Sequence, residues 1–465
     1  MLFPTLDGSA GTLRAVLAAA QGGDTIRFAL QLEGQTITLL QGELAVNQSL
    51  DIKGPGAGML TISGNASSRI FDVAAGTNVT ISGLTLTDGL ATAGAGILNA
   101  GALTLSNAVL VGNVAQGITA AGRGGGVENL AGATLDISHS LFKDNQAFGG
   151  PNGGPNVVSA FGGGIDNEAG AVTLEHSVFT GNQAVGTDGS TSGSGLGGGI
   201  YSASGSLAVR DSAIQDNLAH GGSGVGAAGV GGSGLGGGLY LFSTTLTLTH
   251  TTLSGNQAVG GDAPTSSSFQ GGGNAQGGAL KMTNGSATIT GTTFNDNQAP
   301  GGSGFRKGGE AGGGAVNASG TPVKMSDSTF TGNEAIGGAA TAAVGFSSGG
   351  IAQGGGLLIS SANATISNTL FVGNVAQGGA GQNSGEGVGG GLEIFVFTPR
   401  TGATATVRNC RFVQNTAQGG AASGLASDGE GGGMFVSGQT TMRRVTIPWA
   451  MSPPSHKVNS APGLK

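Results

Sequence analysis

A single cysteine, Cys410, stands in 465 residues, so neither an intrachain disulfide nor a cysteine-based zinc site can form. Charge is scarce too: 9% of residues are charged, against roughly 25% in an ordinary globular protein, which argues against salt-bridged helices. The net charge is −7, and without a Lys/Arg stripe for phosphates to bind, a nucleic-acid partner is disfavoured. No run of 18 apolar residues occurs, hence no transmembrane helix is expected. The opening "MLFPTLDGSAGTLRAVLAAAQ" has no basic segment ahead of its apolar part and is not expected to act as an export signal.

What is abundant is glycine, 98 residues, together with a hydrophobic fraction of 38%. Glycine at that level suggests disorder, but the apolar content is enough to offset the entropy of ordering a chain.

The apolar residues recur. Aligned on Asn-x-Ala, the chain gives Asn113, Asn145, Asn182, Asn217, Asn256, Asn297, Asn333, Asn374 and Asn415, spaced by 32 to 41 residues. That period marks a solenoid or array. Three residues before each Asn is an apolar column, among it Leu110, Phe142, Phe179, Phe294 and Phe412; the positions eight and ten before are apolar as well. Alternating apolar positions rich in β-branched residues predict strands with one buried face. A glycine run opens each unit, from Gly124 to Met434, and "TISG" at 61–64 and 80–83 suggests a bare coil of about 22 residues, with Gly/Ser-rich insertions lengthening later units.

Nine equivalent Asn residues read as a structural ladder, each amide bonding the next and accepting a left-handed turn conformation. Six residues earlier stand Asn107, His139, His176, Asp211, His250, Gly291, Asp327, Asn368 and Asn409. These residue types accept positive φ, so three of the five histidines read as turn residues rather than metal ligands or bases. Cys410 falls in a neighbouring column of Ser, Thr and Ala and reads as a small turn residue.

The fold expected is all-β: a right-handed parallel β-helix of about 11–12 coils, spanning 36–440. A cap over 1–35 is expected to hold a short helix in "TLRAVLAAAQ", with Thr12 as N-cap and Gly22 and Gly23 as the stop. Residues 441–465, with the one Trp, form an irregular tail outside the repeat.

The paired signals Gly-Gly-x-apolar and Phe-x-x-Asn resemble the repeats of bacterial polymorphic outer membrane proteins and related pectin-lyase-like β-helix proteins. That resemblance, over about residues 5 to 440, implies a non-catalytic extracellular or cell-surface protein, structural or adhesive. Its partner would be a polysaccharide or a host or neighbouring cell surface. The same fold also implies an alternative, a polysaccharide lyase or glycoside hydrolase.

Chemistry is expected in the column just after each glycine run: Glu128, Asp166, Tyr201, Tyr240, Lys281, Val316, Leu358, Glu393 and Phe435, read as pointing outward. Glu128 and Asp166, one rung of about 4.8 Å apart, are the catalytic candidates, at a separation close to that of retaining glycosidases. Tyr201, Tyr240 and Lys281 are the ligand-binding candidates. No metal or cofactor is expected, because no calcium nonapeptide is visible and no acidic cluster with a nearby Arg or Lys of the kind that would bind calcium and a uronate. A second column, Thr104, Asp136, Thr173, Ala208, Thr247, Thr288, Lys324, Thr365 and Thr406, resembles an ice-binding face with interruptions.

Overall fold

The structure, a computed structural model, describes residues 11–447 except 119, 151–157, 227–228, 265–270, 343–345, 396–403 and 438–439. One coil shows how sequence becomes architecture. Ile97–Asn99 forms a strand, Ala102–Ser106 the next and Val109–Val111 a third. The inward residues Ile97, Leu103, Leu105 and Leu110 are all buried. After Asn113 come Val114–Gln116 and, past the insertion, the two-residue strand Gly122–Arg123. The glycine run then returns the chain to the next rung.

Stacking these coils gives five sheets of 13, 12, 12, 10 and 9 strands among the described residues. The first runs from Thr25–Arg27 to Thr440–Arg443, the second from Gln35–Thr38 to Arg411–Val413, and the third from Leu44–Val46 to Met434–Ser437. Val114–Gln116 belongs to the fourth sheet and Gly122–Arg123 to the fifth. Neighbouring rungs pair in parallel throughout, for example Leu103 with Leu135 and Phe142 with Phe179. The chain is a right-handed parallel β-helix, the hand that parallel crossovers take.

The two "TISG" segments are not successive rungs: 61–63 lies in the second sheet and 80–82 in the first. They share a sequence because both need an inward Ile and a turn. The tightest true spacing is Ile62 to Leu86 and Val79 to Leu103, so a bare coil takes about 24 residues rather than 22.

The core is a set of like-on-like stacks. Phe294, Phe330, Phe371 and Phe412 pile up with ring centroids 4.6 to 4.8 Å apart. The Asn ladder is complete: each Nδ2 donates to the next Oδ1, as from Asn217 to Asn256 at 3.0 Å, and also to a carbonyl one coil below. The left-handed residue is not the ladder Asn but the one before it, such as Asp144, Asp216 or Gly255. The turn column behaves as expected, with φ between +46° and +59° from Asn107 to Asn409. A second buried ladder escaped the sequence reading. Asn99 donates to Asn129 (2.7 Å), Asn129 to Asn167 (2.8 Å), and Asn167 to the Ser202 hydroxyl (2.9 Å).

The helix α1, Leu13–Ala19, buries Leu13 and Leu17 over the end of the core, with the Thr12 hydroxyl accepting from Ala15 N–H. Arg14 ties it down by donating to the carbonyls of Glu43 and Gly42. Thr25–Arg27 already pairs with the first sheet. Trp449 and the rest of the tail beyond 447 lie outside the described residues.

The insertions leave from one flank, and their necks are closed by a column of glycines. Gly232 N–H donates to Gly222 O, Gly261 to Gly232, Gly273 to Gly261 and Gly302 to Gly273, each at 2.8–2.9 Å. Outgoing and returning strands alternate in this column up to Gly420. Only glycine permits such approach: a Cβ on Gly273 would lie 1.7 Å from Gly232 O.

Candidate functional site

The column after the glycine run is set by the third sheet. Glu128, Asp166, Tyr201, Tyr240 and Lys281 follow one another in strict parallel register. The sixth member is Asn317 and not Val316, because Val316 pairs with Leu280 and fills the core. In that unit Ala315 takes the place of the last glycine, as Ala279 does one rung earlier, and shifts the apparent frame. Leu358, Glu393 and Phe435 continue the column.

The column points away from the central core, yet it is not the open surface expected. The fifth sheet folds back over it. Gly124 adopts φ +56° and turns the chain so that Arg123 returns across the rungs. Asp166 is 0% exposed, Glu128 and Lys281 5%, and Glu393 1%; Tyr201 and Tyr240 are half-buried. Strands of two residues, such as Gly122–Arg123 and Ala160–Phe161, supply this lid.

Arg123 organises the first part. Its Nη1 donates to Asp166 Oδ2 at 3.1 Å and to Glu168, while its guanidinium lies 4.5 Å from the Phe161 ring centroid. Glu128, Asp166 and Glu168 thus gather around one arginine, a grouping that the sequence alone does not display. It comes from positions five residues before and two after the candidate carboxylates, in neighbouring coils. Phe161, Tyr201 and Tyr240 then form an edge-to-face series with centroids 4.9 and 5.5 Å apart.

Burial controls the ionisation here. It raises Glu128 to about 7, with Arg123 opposing and Glu168 adding to the rise. Asp166 is pushed well above the usual carboxylate range by burial, again against Arg123, and its Oδ1 has no hydrogen-bond partner. Burial lowers Lys281 to about 8; its ammonium donates to Asn317 Oδ1 at 2.9 Å and to the Ser319 hydroxyl at 3.1 Å. Glu393 rises to about 8 through burial, with Gln353 donating to one carboxyl oxygen at 3.0 Å.

Two concavities of about 300 and 370 Å³ lie elsewhere. One is lined by corner residues such as Gly132, Gly170 and Gly205, the other by α1 with Glu43 and Asn47. The Thr104 to Thr406 column lies in register on the outer face of the first sheet, interrupted by Asp136, Ala208 and Lys324. Cys410 is buried, its thiol 3.2 Å from Arg408 O, where Ser212 places its hydroxyl against Arg210 O. It occupies a serine position in a turn.

No protein-family model and no curated protein matches the chain. Among solved structures it is similar to the catalytic unit of a thermostable GH87 α-1,3-glucanase from Streptomyces thermodiastaticus (14% identity, 96% of this chain and 67% of that one, TM-score 0.37). It is also similar to the periplasmic alginate epimerase AlgG (10%, 94% and 83%, TM-score 0.29) and to PfbA, a surface adhesin of Streptococcus pneumoniae (10%, 86% and 86%, TM-score 0.33). These likenesses are distant, and the parallel β-helix is read from the five parallel sheets of the chain itself.

Proposed function

We propose that this chain is a non-catalytic extracellular or cell-surface β-helix, a rigid rod with a structural or adhesive role. The carrying observation is the complete burial of Asp166 beneath Arg123. A carboxylate that must meet a glycosidic oxygen needs an open approach to within hydrogen-bond reach, and this pair is roofed by Arg123 and Phe161. Glycan contact remains available to the half-buried Tyr201 and Tyr240, whose rings offer an apolar body with a polar tip.

One observation favours the alternative of a polysaccharide lyase or hydrolase: Glu128 is held at about 7, where a general acid or base works best. The two readings separate in one experiment. The protein is screened against acidic and neutral glycans for retention and for release of reducing or unsaturated ends. Retention without products, weakened by Tyr201→Ala or Tyr240→Ala, is the expected result. Product formation that disappears with Glu128→Gln or Asp166→Asn would overturn the proposal.

A further inference from the structure

The turn between the first and second sheets carries a column that the proposed function does not use. Its backbone is fixed rung by rung: His139 N–H donates to Glu175 O and His176 N–H to Arg210 O, both at 3.2 Å. Both residues sit at left-handed φ, +49° and +47°. Their side chains therefore leave the rod edge in the same direction, one rung apart. The two imidazoles stand exposed and parallel, centroids 5.0 Å apart and planes within 6°.

Elsewhere in this column, adjacent side chains bond to each other. Asn368 Nδ2 reaches Asp327 Oδ1 at 2.9 Å, and Asn409 Nδ2 reaches Asn368 Oδ1 at 3.1 Å. His250 Nδ1 lies 3.7 Å from Asp211 Oδ1. The His139 and His176 ring nitrogens have no hydrogen-bond or ion-pair partner among the described residues. Neighbours here can thus bring polar atoms to about 3 Å, and this pair has two aromatic nitrogen donors to bring. Metal–nitrogen bonds of about 2.0 Å at a right angle place two nitrogens roughly 2.9 Å apart. Rotation of the exposed rings about their side-chain bonds closes the remaining gap.

We propose that His139 and His176 form a two-imidazole site for a divalent transition-metal ion. Among the described residues no three His, Cys, Asp or Glu side chains are placed to hold a metal together, so water completes the coordination. Imidazole suits copper, nickel and zinc, and copper(II) binds most tightly in that series.

The test is copper(II) titration of the full chain, read by calorimetry and by electron paramagnetic resonance. The wild-type protein is expected to hold one copper whose spectrum carries hyperfine splitting from two imidazole nitrogens. His139→Asn and His176→Asn each lose the two-nitrogen spectrum. Asparagine already occupies this turn at Asn107, Asn368 and Asn409 with positive φ, so the fold is kept and an unchanged far-UV spectrum verifies it. His250→Asn leaves the copper signal unaltered. A two-nitrogen spectrum that persists in either single variant, or wild-type binding no greater than that of the double variant, would overturn the proposal.

Discussion

Arg123 Nη1 donates to Asp166 Oδ2 at 3.1 Å, reaching from one coil to a fully buried carboxyl on the next. Burial pushes this carboxyl up from its usual range, and the arginine beside it works against that rise. Arg123 also stacks on Phe161 and pairs with the partly exposed Glu168. It thus links the two-residue strands of the lid to the third sheet beneath.

The first prediction separates these roles. Asp166→Asn keeps the shape of a side chain whose ionisation burial already disfavours, and is expected to move the unfolding free energy at pH 7 by less than about 1 kcal/mol. Arg123→Ala loses the charged hydrogen bond and the ring contact together, which is expected to cost about 2–3 kcal/mol. Urea unfolding midpoints at pH 7 measure both. Equal losses in the two variants would contradict this separation of roles.

Stability is expected to depend on pH in a direction unusual for carboxylates. Glu128, raised to about 7, and Glu393, raised to about 8, both start from 4.5. A raised folded value means that stability is complete below about pH 4.5 and is lost as pH climbs through 7 and 8, because the folded protein resists giving up those protons. Lys281, lowered from 10.5 to about 8, works oppositely: its contribution is complete above 10.5 and lost as pH falls towards 8. Melting temperature is therefore expected to decline from about pH 5 to a minimum near 8, then partly recover. At about 1.4 kcal/mol per pH unit, the Glu393 component, from 4.5 to about 8, is on the order of 5 kcal/mol. Glu393→Gln should flatten the decline; an unchanged profile would contradict the assignment.

Much of this was legible in advance because a solenoid turns each sequence position into a column. The φ of His139 and His176 could be read from the Asn, Asp and Gly that share their place. The ladder from Asn113 to Asn415 could be read from its invariance. The lid could not. Gly122–Arg123 and its equivalents are two residues long, too short for any period to show, and what they cover is decided by a left-handed glycine. The Asn99–Asn129–Asn167 ladder was hidden for another reason: it gives way to Ser202 and then to core residues such as Leu241 and Met282. Its signal was the repeated Asn two places beyond the apolar residue in "GILN", "GVEN" and "GIDN". The Val316 misplacement shows the limit of counting glycines, since Ala279 and Ala315 serve in a glycine position.

Truncation within the Asn ladder is expected to be costly even far from any ligand. Asn256 Nδ2 donates to Asn297 Oδ1 at 2.9 Å and to Ile214 O at 2.8 Å, while its Oδ1 accepts from both the side chain and backbone N–H of Asn217. Asn256→Ala takes partners from buried groups on the two neighbouring coils, Ile214 and Asn217 on one side and Asn297 on the other, at about 1–3 kcal/mol for each orphan, and should destabilise by roughly 3 kcal/mol or more. Asn415→Ala, at a partly buried end of the ladder, should cost less. Denaturant midpoints decide the order, and a smaller loss at Asn256 than at Asn415 would contradict a load shared along the ladder.

The glycine column makes the sharpest steric prediction. A Cβ on Gly273 meets Gly232 O at 1.7 Å and the nitrogen of Gly261 at 2.9 Å, the first a backbone atom of the previous insertion and the second of the outgoing limb of its own. Neither can yield without breaking the hydrogen bonds Gly261 to Gly232 and Gly273 to Gly261. On Gly271, two residues earlier, the nearest atom is Lys307 O at 3.6 Å, an ordinary contact. Gly273→Ala should therefore part the necks of adjacent insertions, at a cost of several kcal/mol as overpacking and lost bonds combine. Gly271→Ala should stay within about 0.5 kcal/mol of wild type. Amide hydrogen exchange locates the damage: Gly232, Gly261 and Gly302 should lose protection in the first variant, while the core strand Leu280–Thr283 keeps its own. If protection falls evenly along the rod instead, the column is part of one cooperative core and not a separate clasp on the insertions.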